Sequence, residues 1–191
     1  MKGKYTPLFV LIPIFIGVVY VFWTSDLQNR IGSKRIDIVP IGSKITNLHN
    51  TIGSDRQVIH FYDDDCIFAK KNIEHLKILQ EKYRVANLQW TLMVPPEIDS
   101  LQLIRTLGFN ASVVTDNGEF AKSLGVAMIP QMVIVDRGEI YYRGNYTKNG
   151  AFCGADNILS SDPGIALKSL IESRELPIYL TKQSSYVGCP L

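Results

Sequence analysis

Apolar and polar positions divide the chain into three stretches of different rhythm. From Pro7 to Trp23 the sequence reads PLFVLIPIFIGVVYVFW, with no charged residue. Residues 24–55 are polar and turn-rich, with Gly32-Ser33, Gly42-Ser43 and Gly53-Ser54. This stretch reads as a linker holding one or two short strands, such as Arg35 to Val39. From Arg56 onward short apolar runs alternate with stretches of helical period.

Gln57 to Tyr62 (QVIHFY) predicts a strand. Asp63, Asp64 and Asp65 then offer capping carboxylates for a helix from Cys66 to Tyr83. Its apolar positions Ile67, Ile73, Leu76, Leu79 and Tyr83 share one face. Leu88 to Val94 predicts a second strand, stopped by Pro95-Pro96. A helix over Ile98 to Leu107 closes at Gly108. A strand over Ala111 to Thr115 and a short helix over Gly118 to Leu124 follow. Gln131 to Val135 and Glu139 to Arg143 flank Asp136-Arg137-Gly138, a hairpin by its turn chemistry. A last helix, Gly164 to Glu172, has Asp162 as its expected cap and Pro163 at its first position. Alternating strands and helices predict an α/β domain over residues 56–175 with an antiparallel hairpin near one sheet edge, and a tail over 176–191.

Seventeen helical residues from Pro7 to Trp23 would span roughly 26 Å, close to the roughly 30 Å of a hydrocarbon core. Tyr5, Tyr20 and Trp23 suit the interfaces. A cleaved signal peptide is the competing reading, but FWTSDLQNR offers no small-residue cleavage site. Residues 1–23 therefore read as a cytoplasmic N-terminus and a single transmembrane helix. Lys2 and Lys4 precede the segment, which orients the body outward under the positive-inside rule. The expected location is the inner membrane, single-pass, with the body facing the periplasm. The formal net charge of +2 and the lack of a basic run give no basis for a nucleic-acid partner.

The order of elements, with a Cys opening the helix after the first strand and then GVAMIPQMVIVDRGEIYYRG, resembles the thioredoxin superfamily over residues 55–175. That resemblance implies a thioredoxin-like fold, a central mixed sheet flanked by helices, and a cis peptide between Ile129 and Pro130. The strand–helix piece between Pro96 and Leu124 resembles the insertion of membrane-anchored, exported members. Narrower is the resemblance to anchored bacterial thioredoxin-like proteins with a Cys-x-Cys opening, carried by Cys66, Asn72, His75, Gly144, Tyr146, Gly150, Ala151 and Cys153. The superfamily's Cys-x-x-Cys is broken here, since the run is Cys66-Ile67-Phe68-Ala69. Phe68 also replaces the second thiol of the narrower motif.

Cys66 at a helix N-terminus is where a thiolate is stabilised by free N–H groups and the helix dipole. Asp63, Asp64 and Asp65 oppose it by charge. Lys70, one turn on, reads as a solvated lysine that could also pair with a thiolate. His75 lies nine residues down the helix, on the far side from Cys66, and reads as structural. His60 stands six residues before the cysteine, where thioredoxins carry a buried acid that moves protons for the thiol. By the same resemblance Met128, Ile129 and Pro130 line a groove for an extended substrate. Three cysteines allow three pairs, and Cys153 rather than Cys189 is the first choice to resolve a mixed disulfide on Cys66. No Cys/His spacing suits a metal and no glycine pattern suits a nucleotide, so no cofactor is expected.

The resemblance implies a cell-envelope thiol–disulfide oxidoreductase using Cys66, with protein or peptide thiols and disulfides as partners. A redox-inactive binding module using the Pro130 groove is the alternative. A one-cysteine peroxidase fits poorly, because Asp65 precedes the cysteine where a Thr or Ser is needed.

Overall fold

The computed structural model describes residues 12–21, 39–45, 55–108, 110–146, 158–181 and 189–190. The chain forms two compact units, Met1–Arg35 and Ile36–Leu191. In the first unit, residues 12–21 are helical and Phe15, Ile16 and Tyr20 are exposed. Among the described residues no helix is long and apolar enough to cross a membrane. Residues 7–11 and 22–23 of the expected span lie outside the described residues, so the transmembrane helix has no support from the structure.

The second unit is built on a five-stranded sheet. Its elements are β1 (Arg56–Phe61), α1 (Ile67–Lys82), β2 (Gln89–Val94), α2 (Ser100–Leu107), β3 (Ser112–Thr115), α3 (Glu119–Ser123), β4 (Met128–Ile129), β5 (Gln131–Asp136) and β6 (Glu139–Gly144). A 3-10 turn (Ile158–Ser160), α4 (Asp162–Ile171), α5 (Ile178–Thr181) and β7 (Cys189–Pro190) complete it. The strand order is β3-β2-β1-β5-β6. β1 runs parallel to β2, and β2 to β3, whereas β5 is antiparallel to both β1 and β6. The predicted hairpin thus lies at one edge, and the strand of the Pro96–Leu124 insertion forms the other.

β1 is central, paired on both sides, and this explains its near-continuous apolar run. Val58, Ile59, Leu92, Val133 and Ile134 are wholly buried across three adjoining strands. α1 contributes Ala69, Ile73, Leu76 and Leu79 to the same core, the spacing of one helical face. Its C-terminal Tyr83 donates from its hydroxyl to the Gly164 carbonyl of α4 at 3.5 Å.

Helix ends follow local chemistry, with two shifts from expectation; the first is at α1, where Cys66 is the N-cap and none of Asp63, Asp64 and Asp65 caps the helix. Asp99 caps α2 by accepting from the N–H of Leu101 and Gln102, and left-handed Gly108 closes it. For α4 the cap is Ser161, not Asp162. The Ser161 hydroxyl accepts from Gly164 N–H at 3.3 Å, and Asp162 becomes the first helical residue.

Two boundaries also move. The expected linker contributes to the domain: Ile45 N–H bonds the Gly138 carbonyl, Gly42 N–H bonds that of Ile140, and Lys44 bridges Glu139. Residues 35–38 of the strand expected there lie outside the described residues. The expected tail returns to the domain, with Leu180 buried and residues 189–190 forming β7.

Candidate functional site: a buried cysteine under a returning strand

Cys66 is the residue immediately before α1, extended at φ −86° and ψ 112°. No side chain caps the helix, and Ala69 N–H bonds the Cys66 carbonyl at 3.0 Å. β1 ends at Phe61, and Tyr62 N–H continues its pairing to the Met93 carbonyl at 2.9 Å. The turn after it is made by Asp63, whose carboxylate accepts from Asp65 N–H at 2.9 Å. This sequence of strand, Asx turn and helix sets Cys66 at the carboxyl end of the central strand.

Opposite lies β4. The Ile129–Pro130 peptide is cis, and the Ile129 carbonyl oxygen is 3.5 Å from Cys66 Sγ. In the thiol form that oxygen is in place to accept from the S–H. The sulfur is instead bonded to Cys189, at an S–S distance of 2.06 Å and a Cα–Cα distance of 6.0 Å. β7 carries Cys189 antiparallel along β4, with Ile129 facing Cys189 and Met128 facing Pro190. Cys66 is 1 % exposed; Cys189 is half-buried against the same core.

The partner of Cys66 is Cys189 and not the expected Cys153. Cys153 lies outside the described residues. The tail supplies the second sulfur because residues 189–190 pair with β4, and the Ile129 carbonyl of β4 lies 3.5 Å from Cys66 Sγ. Met128 and Ile129 pair with Pro190 and Cys189, and Ile129 and Pro130 are buried while Met128 is half-buried. They are covered by the chain's own terminus.

His60 sits elsewhere in the network. It is 1 % exposed, and its Nδ1 lies 2.6 Å from the hydroxyl of Tyr146. Its other ring nitrogen has no partner among the described residues. Burial lowers its pKa from 6.5 to about 3, so it is neutral at ordinary pH. Tyr146 is pushed well above its usual range, also by burial. The rings of His60 and Tyr146 meet edge-on with centroids 5.3 Å apart, and His75 approaches Tyr146 at 6.3 Å. Burial lowers the His75 pKa as well. His60 thus bonds Tyr146, not the Cys66 sulfur. Tyr146 stands in the sequence only as part of a motif, and its partnership with His60 across 86 residues has no local signal.

Charge at the site comes from Asp63, Asp64 and Asp65, whose carboxylates lie within 4.8 Å of one another. Asp64 and Asp65 are exposed. Their field reaches the core-facing phenol next door: Tyr62 is raised by burial first, then by Asp64 and Asp63. The Lys70 side chain lies outside the described residues.

The approach to β4 is fixed by Gly125. It is left-handed at φ +70°, and a Cβ there would run into the Arg143 guanidinium. Arg143, 4 % exposed, donates to the Leu124 carbonyl at 2.7 Å and to the Val39 carbonyl at 2.8 Å. The segment leading to Met128 is thereby tied to β6 and to the former linker.

A family model described as a domain of unknown function, DUF6436, matches residues 42–189. No protein of curated function matches by sequence. Among solved structures, an uncharacterized conserved protein from Geobacillus kaustophilus is 23 % identical, with a TM-score of 0.65 over 81 % of this chain and 92 % of that one. A hypothetical protein from Sinorhizobium meliloti is 17 % identical, with a TM-score of 0.65 over 81 % of this chain and 94 % of that one. The thioredoxin domain of a thiol-disulfide oxidoreductase from Bacteroides vulgatus is 11 % identical, with a TM-score of 0.52 over 70 % of this chain and 99 % of that one. At these identities the likeness is one of fold: a thioredoxin-like mixed sheet with flanking helices.

Proposed function

The chain belongs to the DUF6436 family, and from that premise we propose that it is a thiol–disulfide exchange protein whose redox pair is Cys66 and Cys189. The observation that supports this most is the disulfide itself, formed at a helix N-terminus beside the Ile129–Pro130 turn. The first N–H groups of α1 stabilise a Cys66 thiolate, which makes it both nucleophile and leaving group.

In the reduced protein the Cys66 thiolate attacks one sulfur of an external peptide disulfide. A Cys66–peptide disulfide forms, and the other peptide sulfur leaves as a thiolate that takes a proton from water. The Cys189 thiolate then attacks Cys66 Sγ. The Cys66–Cys189 bond forms, and the first peptide sulfur leaves in turn. Two electrons pass from the protein to the peptide. An external dithiol reverses the account. Met128 and Ile129 offer the strand edge on which the peptide lies extended.

The charge-free stretch Pro7–Trp23 is the basis for the rest of the proposal: a single-pass inner-membrane anchor with the body in the periplasm. A reporter active only in the periplasm, fused after Leu191, should be active; a silent one removes the anchor. For the chemistry, exchange with a model disulfide is followed in the wild type and in Cys66→Ala. The wild type should turn over and Cys66→Ala should not. An inactive wild type, or an unimpaired variant, overturns the assignment.

A further inference from the structure

Three observations converge on β4. Its edge is occupied by the chain's own residues 189–190 in antiparallel register. Cys189, the residue facing Ile129, is bonded to Cys66. Cys66 is 1 % exposed, so its sulfur is closed to a partner segment while the strand is seated. We propose that the C-terminal strand is the groove's resident ligand, and that reduction of Cys66–Cys189 exchanges it for an extended, cysteine-bearing segment of a partner protein.

The seated strand defines what the groove takes. It is an extended backbone running antiparallel to Met128–Ile129, with a cysteine opposite Ile129 and facing Cys66. Among the described residues, β7 pairs two positions with β4. A two-residue ladder supplies few hydrogen bonds. The Cys66–Cys189 bond adds a covalent tie to that pairing. Reduction by an external dithiol, R(SH)2, gives Cys66–SH, Cys189–SH and the oxidised R disulfide, with two electrons and two protons transferred to the protein. The tail then competes with partner segments only as a tethered strand, at an effective concentration set by its linker.

Seating and resolution are linked by the same residue. Cys189 must leave the groove before a partner segment enters. It must return to Cys66 to release that segment. Groove occupancy is thus mutually exclusive between tail and partner, and the disulfide marks the closed state. This rests on the reading of Cys66–Cys189 as an exchanging pair, but its test reads binding and not electron transfer.

The probe is a fluorescein-labelled peptide of residues 185–191 carrying Cys189→Ser, which cannot form a disulfide. Its anisotropy is titrated with three forms of the full chain: oxidised wild type, wild type reduced by a phosphine, and Cys189→Ser. Hydrogen exchange at 126–130 is followed alongside. The reduced and Cys189→Ser forms should bind the peptide at least about tenfold more tightly than the oxidised form. Exchange at 126–130 should rise on reduction and fall again with peptide. Equal binding by oxidised and reduced protein overturns the proposal, as does binding by neither. Redox-dependent binding with a silent exchange assay removes the enzymatic reading and leaves the groove's gating intact. Turnover with redox-independent binding does the reverse.

Discussion

Tyr146 places its hydroxyl 2.6 Å from Nδ1 of His60, joining the end of β6 to the central strand inside the core. A neutral imidazole accepts the phenol's proton-donating bond there, and burial of both partners holds each in its uncharged form. The pair is a structural joint with a titratable member.

That joint predicts an acid-labile fold. The folded-state pKa of His60 is depressed, so the unfolded chain binds its proton first as pH falls. Stability from this group is fully present above about 6.5 and is lost progressively toward about 3. Between pH 6.5 and 4.5 the loss should approach roughly 2–3 kcal/mol from this histidine alone, with His75 acting in the same direction. Urea melts across that interval check it. His60→Gln, which keeps an acceptor for Tyr146 without the titration, should flatten the dependence. An unchanged slope would rule His60 out as its source.

The cysteine connectivity is open to direct mapping. Non-reducing proteolysis should yield one linked pair of peptides, holding Cys66 and Cys189. Cys153 is the third of three cysteines and should take up alkylating reagent without reduction. A Cys66–Cys153 peptide would show that the tail does not seat as β7.

Reduction should also be visible in stability. The bond joins residues 123 apart, and in the chain-entropy model closing such a loop is worth at most about 5 kcal/mol. Reductant and Cys189→Ser should lower the denaturant midpoint by matching amounts. Cys153→Ser should leave it unchanged. Unequal shifts between reductant and Cys189→Ser would mean that Cys189 does not hold the bond that reductant breaks.

The sheet and most helices were legible because their signals are local. Asp99 and Gly108 bracket α2, Arg137-Gly138 turns the hairpin, and the Ile73, Leu76 and Leu79 spacing marks the buried face of α1. Cys66 could be placed at a helix start for the same reason. Its partner could not, because β4 and β7 are two-residue strands whose pairing spans some sixty positions and has no periodic pattern to read. Ser161 displaced Asp162 as a cap by a single residue, a choice decided by which side chain reaches Gly164 N–H. The His60–Tyr146 contact likewise joins two residues that no local rule relates.

Gly125 gives the sharpest test of how the groove is held. Its φ of +70° costs any other residue roughly 1–2 kcal/mol. An added Cβ would also press on Arg143, whose guanidinium holds the Leu124 and Val39 carbonyls. Arg143 is buried and bonded on both sides, so it has little room to yield. Gly125→Ala should therefore destabilise by more than the backbone term alone, about 2 kcal/mol or above. The strain would fall three residues before Met128, so the edge that receives β7 should loosen with it. Thermal melts read the first effect. The second appears as faster reduction of Cys66–Cys189 by a fixed concentration of dithiol. A variant that melts like the wild type would mean that Arg143 moves freely, and that the segment before β4 is not held by it.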